Sequence, residues 1–201
     1  MSNQYFENND NLKSEEREIK FYFLGTNLKF IVDNGVFSKS NVDFGSSLLL
    51  RELIIKKETT KVLDVGCGYG PIGITIAKCH PLLNVDMVDI NLRALGLAKK
   101  NATLNNVDNV TIFESNIYEN VTSKYDLIIT NPPIRAGKNI VHSILLEGYN
   151  YLNNKGTLWC VIQKKQGAES ALKALKEKYQ EVIIHAKDKL YYIIEAIKIN
   201  E

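Results

Sequence analysis

The sequence predicts an α/β fold. Its core is a mostly parallel seven-stranded sheet with helices on both faces, preceded by a β-hairpin and closed by an antiparallel carboxy-terminal hairpin. Three observations carry this. Residues 61–73, KVLDVGCGYGPIG, run from a β-branched apolar segment through glycines 66, 68, 70 and 73 into a new apolar pattern at Ile72, Ile74, Ile76 and Ala77. That is strand, tight turn and helix. From there, strand-like and helix-like segments alternate at lengths that suit a parallel sheet. The last two apolar segments, 182–186 and 190–199, are separated only by Lys187-Asp188-Lys189. This is too short for a crossover helix, so they pair antiparallel.

Taken in order, residues 1–18 are a polar, Asn-rich segment ahead of a single domain over 19–201. Alternating apolar residues Ile19, Phe21, Phe23 and Leu28, Phe30, Val32 flank Gly25-Thr26-Asn27, which predicts a β-hairpin at about 19–33 appended to the sheet. A loop, GVFSKSNVDFGSS, leads into an apolar helix through Leu48, Leu49, Leu53 and Ile54. After strand 61–65, Pro71 opens the next helix, where its missing N–H costs nothing. The pattern then reads strand 85–89, helix 92–104, strands 110–113 and 125–130, helix 139–152, strand 157–162 and helix 168–179.

The chain of 201 residues suits one domain with a real core. No apolar run is long enough to span a membrane, and MSNQYFENND lacks the features of a signal peptide, so a cytoplasmic protein is expected, with no membrane partner. The three cysteines, 67, 79 and 160, fall in no metal-ligand spacing and are expected to be reduced, with no metal site. A net charge of +2 does not mark a nucleic-acid binder. The acidic first 18 residues nevertheless leave an excess of +5 on the remainder, compatible with a local phosphate-binding face.

The glycine turn is where a small molecule belongs, because glycine lets a ligand approach the main chain and a helix N-terminus is expected to turn free N–H groups toward it. Gly68, Gly70 and Gly73 satisfy the dinucleotide pattern G-x-G-x-x-G. Asp64, two residues before Gly66, argues otherwise. A carboxylate there repels a pyrophosphate but suits a cofactor carrying an ammonium and a sulfonium. Asp89, at the end of the next strand, is placed to accept hydrogen bonds from both ribose hydroxyls of a nucleoside, and Ile90 to cover its base, while Asn91 is available to cap the following helix. The segment TNPPIRAGK follows strand 125–130, at the carboxyl edge where open α/β sheets bind ligands.

The string D-x-G-x-G-x-G at Asp64, Gly66, Gly68 and Gly70 resembles motif I of class I S-adenosylmethionine (SAM) methyltransferases. Asn131-Pro132-Pro133-Ile134 resembles their motif IV, (N/D)PP(Y/F/I), found in enzymes acting on planar amino groups. With Phe37-Ser38, then Asp43, Gly45 and Ser46, and with NPPI running on into RAGK, the stretch from about Leu28 onward resembles the "methyltransferase small" family. Its studied members are guanine-N2 methyltransferases of ribosomal RNA. The resemblance implies a Rossmann-like class I methyltransferase fold, SAM as cofactor and RNA as partner. It places Ser46 at the cofactor's carboxylate, Asn116 at the adenine amino group, and Phe37 and Asp43 in the substrate cleft. Arg135 and Lys138 become candidates for phosphate contacts, with Gln163, Lys164, Lys165 and Gln166 on the same rim; His142 reads as packing. Bacterial members often carry a further amino-terminal domain that helps bind RNA, and no counterpart of it is expected here.

The chemistry accounts for these residue types. An exocyclic amine has its lone pair delocalised into the ring and attacks poorly. The Asn131 side-chain oxygen and the Pro132 carbonyl can each accept one N–H, drawing the nitrogen toward tetrahedral geometry, and the proline ring holds that carbonyl rigid. Ile134 stands where adenine-N6 and glutamine-N5 enzymes carry a stacking Tyr or Phe. Methylation of another planar nitrogen, an NAD-type oxidoreductase and a non-catalytic RNA-binding assembly factor remain the alternatives, and monomer and homodimer both stay open.

Overall fold

The computed structural model describes residues 13–34, 41–187 and 190–199. Phe37 and the first dozen residues lie outside them. In chain order the elements are β1 (Arg17–Phe23), β2 (Thr26–Val32), α1 (Phe44–Glu52), β3 (Lys61–Val65), α2 (Pro71–Cys79), β4 (Asn84–Asp89), α3 (Leu92–Leu104) and β5 (Val110–Glu114). There follow β6 (Tyr125–Thr130), α4 (Lys138–Tyr151), β7 (Leu152–Gln163), α5 (Ala168–Lys178), β8 (Glu181–Lys187) and β9 (Tyr191–Ile197). The main sheet has the order β5-β4-β3-β6-β7-β9-β8, with β9 antiparallel to both neighbours and the other pairings parallel. The β1–β2 hairpin is a separate two-stranded sheet.

Because side chains alternate across a strand, each central strand feeds two cores. Trp159 and Val161 of β7 pack with the hairpin, α1, α2 and α3, whereas Leu158, Cys160 and Ile162 pack with α4 and α5. Strands buried on both faces in this way explain the near-continuous apolar runs in the sequence.

Three boundaries differ from the sequence reading. The first hairpin turns on Leu24-Gly25, both at positive φ (45° and 80°), so Thr26 and Asn27 belong to the strand. Positive φ at both central positions is the type I′ geometry whose twist matches a two-residue hairpin. Helix α1 ends at Glu52, leaving Leu53 and Ile54 outside it, since the β-branched pair Ile54-Ile55 follows and Leu53 turns extended. Finally, α4 stops at Tyr151 and β7 begins at Leu152, ahead of the expected 157. Lys198 is responsible: its buried ammonium donates to the Tyr149 and Leu152 carbonyls (both 2.9 Å), satisfying the helix end.

Two side-chain arrangements set the position of the glycine turn. Asn101 and Asn105, one turn apart on α3, stand in for a strand partner along the free edge of β2. Asn101 Oδ1 accepts from Ile31 N–H (2.6 Å) and its Nδ2 donates to Ile31 O (3.0 Å), while Asn105 does the same at Lys29. Asn101 also donates to Tyr69 O (2.9 Å), so one buried amide ties hairpin, helix and turn together. The second arrangement is Asp64, whose Oδ2 accepts from Gly73 N–H at 2.9 Å. Only glycine fits there, since a Cβ at 73 would stand 2.8 Å from Met87 and 3.0 Å from Asp64 itself. Burial pushes the Asp64 carboxyl up to about 7; the Gly73 bond opposes the rise and the nearby Asp89 charge adds to it.

Two outcomes follow for stability. Asn101→Ala orphans buried backbone groups of Ile31 and Tyr69 and should cost about 2–4 kcal/mol, read as a lower urea midpoint at unchanged m-value. For Asp64 the folded pKa lies above the unfolded one, so its stabilising share is present below 3.8 and lost as pH rises through about 7. Asp64→Asn keeps an acceptor for Gly73 but does not titrate. Urea titrations of the cofactor-free protein from pH 4 to pH 8 should therefore show the variant losing less stability than wild type, by on the order of a few kcal/mol.

Candidate active site

A cavity of about 540 Å³ opens at the carboxyl edge of the parallel strands, where the chain leaves β3, β4, β5, β6 and β7. One side is the glycine turn with Asp89, Ile90 and Asn116. The other is Asp43 and Ser46 at the start of α1 with the segment after β6 from Asn131 to Ala136. These sides come together because β3 is flanked by β4 and β6, so the turns after all three strands share one edge.

Most of the glycine turn's N–H groups are paired within the protein. Gly66 and Cys67 N–H donate to Val88 O (2.8 and 2.9 Å), Gly68 N–H to Asp89 Oδ2 (2.8 Å), Gly70 N–H to Cys67 O (3.0 Å) and Gly73 N–H to Asp64. This narrows the expectation that the turn aims N–H groups at its ligand: strand β4, Cys67 O and two carboxyl groups take five of them, and those of Tyr69 and Ile72 have no partner among the described residues. A turn with most of its donors paired and two buried carboxyl groups beside it is a poor cradle for a pyrophosphate, which speaks against the dinucleotide alternative. Gly68 at φ +57° allows the tight bend.

Asp89 lines the cavity with one oxygen held by Gly68 N–H and the other by Asn91 N–H (2.9 Å). Burial raises its pKa and these backbone donors oppose the rise. Asn91 caps α3 itself, its Oδ1 accepting from Ala94 N–H (3.1 Å), which leaves Asp89 to face the cavity. Ile90 and Asn116 line the same side. Asn116 sits on a loop pinned by Ser115, whose buried hydroxyl donates to Ile117 O and accepts from Asn120 N–H. Cys67 lines the cavity too, its thiol pushed well up by burial and by the Asp89 and Asp64 charges, so it stays neutral. Acceptor-only carboxylate, apolar wall and amide in this order match what a nucleoside's diol and base require, and the cavity has room for SAM.

Across the cavity, Asn131 Nδ2 donates to Asp43 Oδ1 (3.1 Å) and Ser46 Oγ (3.0 Å). Asp43 caps α1, accepting from Ser46 N–H (3.1 Å). The Pro133 carbonyl is taken by Ala136 N–H (2.9 Å) in a short 3-10 turn, Ile134–Ala136. Pro132, Pro133, Ile134 and Arg135 all line the cavity.

Some expected residues lie elsewhere. Asp64 is buried behind the turn and Gly70 forms the N-cap of α2, so both support the cavity wall without lining it. Lys138 lines a separate pocket of about 120 Å³ with Ile134, His142, Gln166 and Ser170. Gln163 and Gln166 reach the main cavity, whereas Lys164 and Lys165 do not line it. Sequence reading missed Tyr69, a cavity-lining residue whose buried hydroxyl has no partner among the described residues and whose ring meets Phe30 edge-on. Its place between Gly68 and Gly70 was the available signal. It also missed Tyr191, brought to the rim from β9.

Residues 27–195 match the model of the methyltransferase small domain. Over 201 residues the chain is 43% identical to the uncharacterized protein YbxB of Bacillus subtilis (strain 168), covering 99% of this chain and all of that one. It is 36% identical over 169 residues to ribosomal RNA small subunit methyltransferase C of Psychromonas ingrahamii, covering 81% of this chain but 48% of that protein. The chain thus spans about half the length of that curated methyltransferase. Among solved structures, the T. thermophilus 16S rRNA N2 G1207 methyltransferase RsmC, in complex with AdoMet and guanosine, superposes with a TM-score of 0.83 at 24% identity, over 93% of this chain and 52% of that one. At that identity the superposition speaks for the fold. The chain belongs to the methyltransferase small domain family and is a SAM-dependent methyltransferase.

Proposed function

We propose that the protein methylates the exocyclic N2 amine of a guanine in small-subunit ribosomal RNA, with Asn131 and the Pro132 carbonyl orienting that amine. The observation that carries this is the placement of Asn131: its NH₂ edge is engaged by Asp43 and Ser46, which turns the Oδ1 edge away from them. The names of the relatives support ribosomal RNA as the substrate class.

SAM, when bound, supplies an electrophilic methyl group on a sulfonium. The work of the chain is to position and polarise. Asn131 Oδ1 and the Pro132 carbonyl each take one N–H of the amine, so its lone pair is directed out of the ring plane at the methyl group. The Pro132 carbonyl is engaged by no hydrogen bond among the described residues, whereas that of Pro133 is spent on the following turn. No imidazole lines the cavity, since His142 lies in the neighbouring pocket. Methyl transfer leaves a cationic nitrogen whose surplus proton passes to solvent water, while the two fixed acceptors stabilise the charge as it develops, so no strong base is needed. Arg135, exposed at the cavity mouth, meets a backbone phosphate next to the target nucleotide.

Asn131→Ala should fold and bind SAM yet lose about 100-fold to 1000-fold in single-turnover methylation at saturating SAM. Nucleoside mass spectrometry of small-subunit RNA treated with the enzyme should show N2-methylguanosine; another methylated nucleoside would refute the assignment. Arg135→Ala should make the salt dependence of RNA binding shallower by about 0.7–0.9 in log–log slope, with SAM affinity retained. A slope equal to wild type would place Arg135 outside the RNA footprint.

A further inference from the structure

We propose that Asp43 and Ser46 are positioning residues that decide which edge of the Asn131 amide faces the reacting amine. The inference rests on the role given to Asn131 above and adds a positioning role to the contacts with cofactor and substrate that the resemblance implies for Ser46 and Asp43. Oxygen and nitrogen of a side-chain amide have nearly the same shape, so an unconstrained Asn131 can present either edge to the cleft. Only the oxygen edge accepts an N–H; the other would meet the substrate donor to donor. An ionised carboxylate can only accept, so the edge 3.1 Å from Asp43 Oδ1 must be the NH₂ group. Ser46 Oγ, at 3.0 Å, takes the second hydrogen. Rotation of the amide breaks the bond to Asp43 and sets the amide oxygen against a carboxylate oxygen, and keeps a bond to Ser46 only if its hydroxyl turns to donate.

The clamp is itself rigid. Ser46 is buried, and Asp43 Oδ1 is held by the Ser46 N–H at the start of α1. Gly45 between them is closely packed, since a Cβ would stand 3.1 Å from Asp43 Oδ1 and 3.4 Å from Tyr191 and would press on the Asp43 carboxylate. The D-x-G-S element is thus a helix start reaching across the cleft to the segment after β6. Capping α1 alone would account for Asp43 but not for its second bond to Asn131.

Variants separate the two roles. Asp43→Ser keeps a capping oxygen for α1 but its side chain is one bond too short to reach Asn131. It should melt near wild type, bind SAM normally and lose about 100-fold in single-turnover methylation, the scale of a misplaced reacting group. Asp43→Asn, whose Oδ1 can accept both bonds, should stay within about tenfold of wild type. Ser46→Ala, with the cap intact, should lose activity in the same sense as Asp43→Ser. An Asp43→Ser enzyme as fast as wild type, or an Asp43→Asn enzyme as slow as Asp43→Ser, overturns the proposal. A readout without substrate is the Asn131 side-chain NH₂ pair in a ¹H–¹⁵N spectrum, identified by its absence in Asn131→Ala. In the wild-type protein these hydrogens should exchange slowly with solvent, and Asp43→Ser, or Ser46→Ala if the former does not fold, should speed the exchange. Exchange as fast as a free amide in wild type refutes the clamp. Slow exchange in a wild-type protein that methylates no RNA would instead refute the proposed function and leave the clamp standing.

Discussion

Everything at the carboxyl edge of the sheet depends on how the turn between β3 and α2 spends its backbone donors. Asp64 from below and Asp89 from the side take the N–H groups of Gly73 and Gly68, and Val88 O takes those of Gly66 and Cys67. Buried donors must be paired, and each of these pairings also fixes a distance between neighbouring strands and the helix that follows. The result is a turn that is sterically open and electrostatically acidic. Its glycines resemble those of a phosphate loop, yet its charge is opposite. The cost is an Asp64 carboxyl raised to about 7, a buried group that the fold holds for the sake of the turn's geometry.

The hairpin ahead of the sheet is part of the same construction. Left alone, β2 would expose an unpaired edge. Asn101 and Asn105 close it with side-chain amides that mimic a strand's donor and acceptor, and the remaining Asn101 donor reaches Tyr69 O inside the turn. Phe30 then packs edge-on against the Tyr69 ring at 5.9 Å. Hairpin, α3 and glycine turn therefore form one rigid unit, which is why an element outside the main sheet bears on the cavity wall.

The cavity divides by chemistry. One side combines a carboxylate, an apolar wall and an amide, while the other presents the Asn131 amide, the Pro132 carbonyl and an exposed arginine. The two sides come from turns after different strands, and the β4-β3-β6 order of a parallel sheet sets them facing each other. Methyl transfer to a weakly nucleophilic amine needs little acid or base strength and much geometric control. In the function proposed above, that control falls to the dense pairing of Asn131, Asp43 and Ser46.

Local pattern was enough for the order and type of nearly every element, because strands buried on both faces read as apolar runs and a three-residue link between the last two permits only antiparallel pairing. The glycine turn, Asp89, Ile90, Asn116 and the NPPI segment were legible for the same reason: each is a short string at a strand end. Where the sequence misled, a distant partner had intervened. Sequence placed the end of α4 within one residue of Tyr151, but neither the strand that starts at once at Leu152 nor the bonds that Lys198, 47 residues beyond Tyr151, makes to the helix end has a local signal. Asp64 read as a ligand group because its charge is visible in sequence, but only the tertiary structure shows it turned inward to Gly73. Lys138 follows Arg135 by one helical turn yet opens into a different pocket. Tertiary packing alone brought Asp43 and Ser46 to Asn131, 88 and 85 residues away. Hydrogen bonding acts between groups adjacent in space, whereas periodicity and turn chemistry act between groups adjacent in sequence.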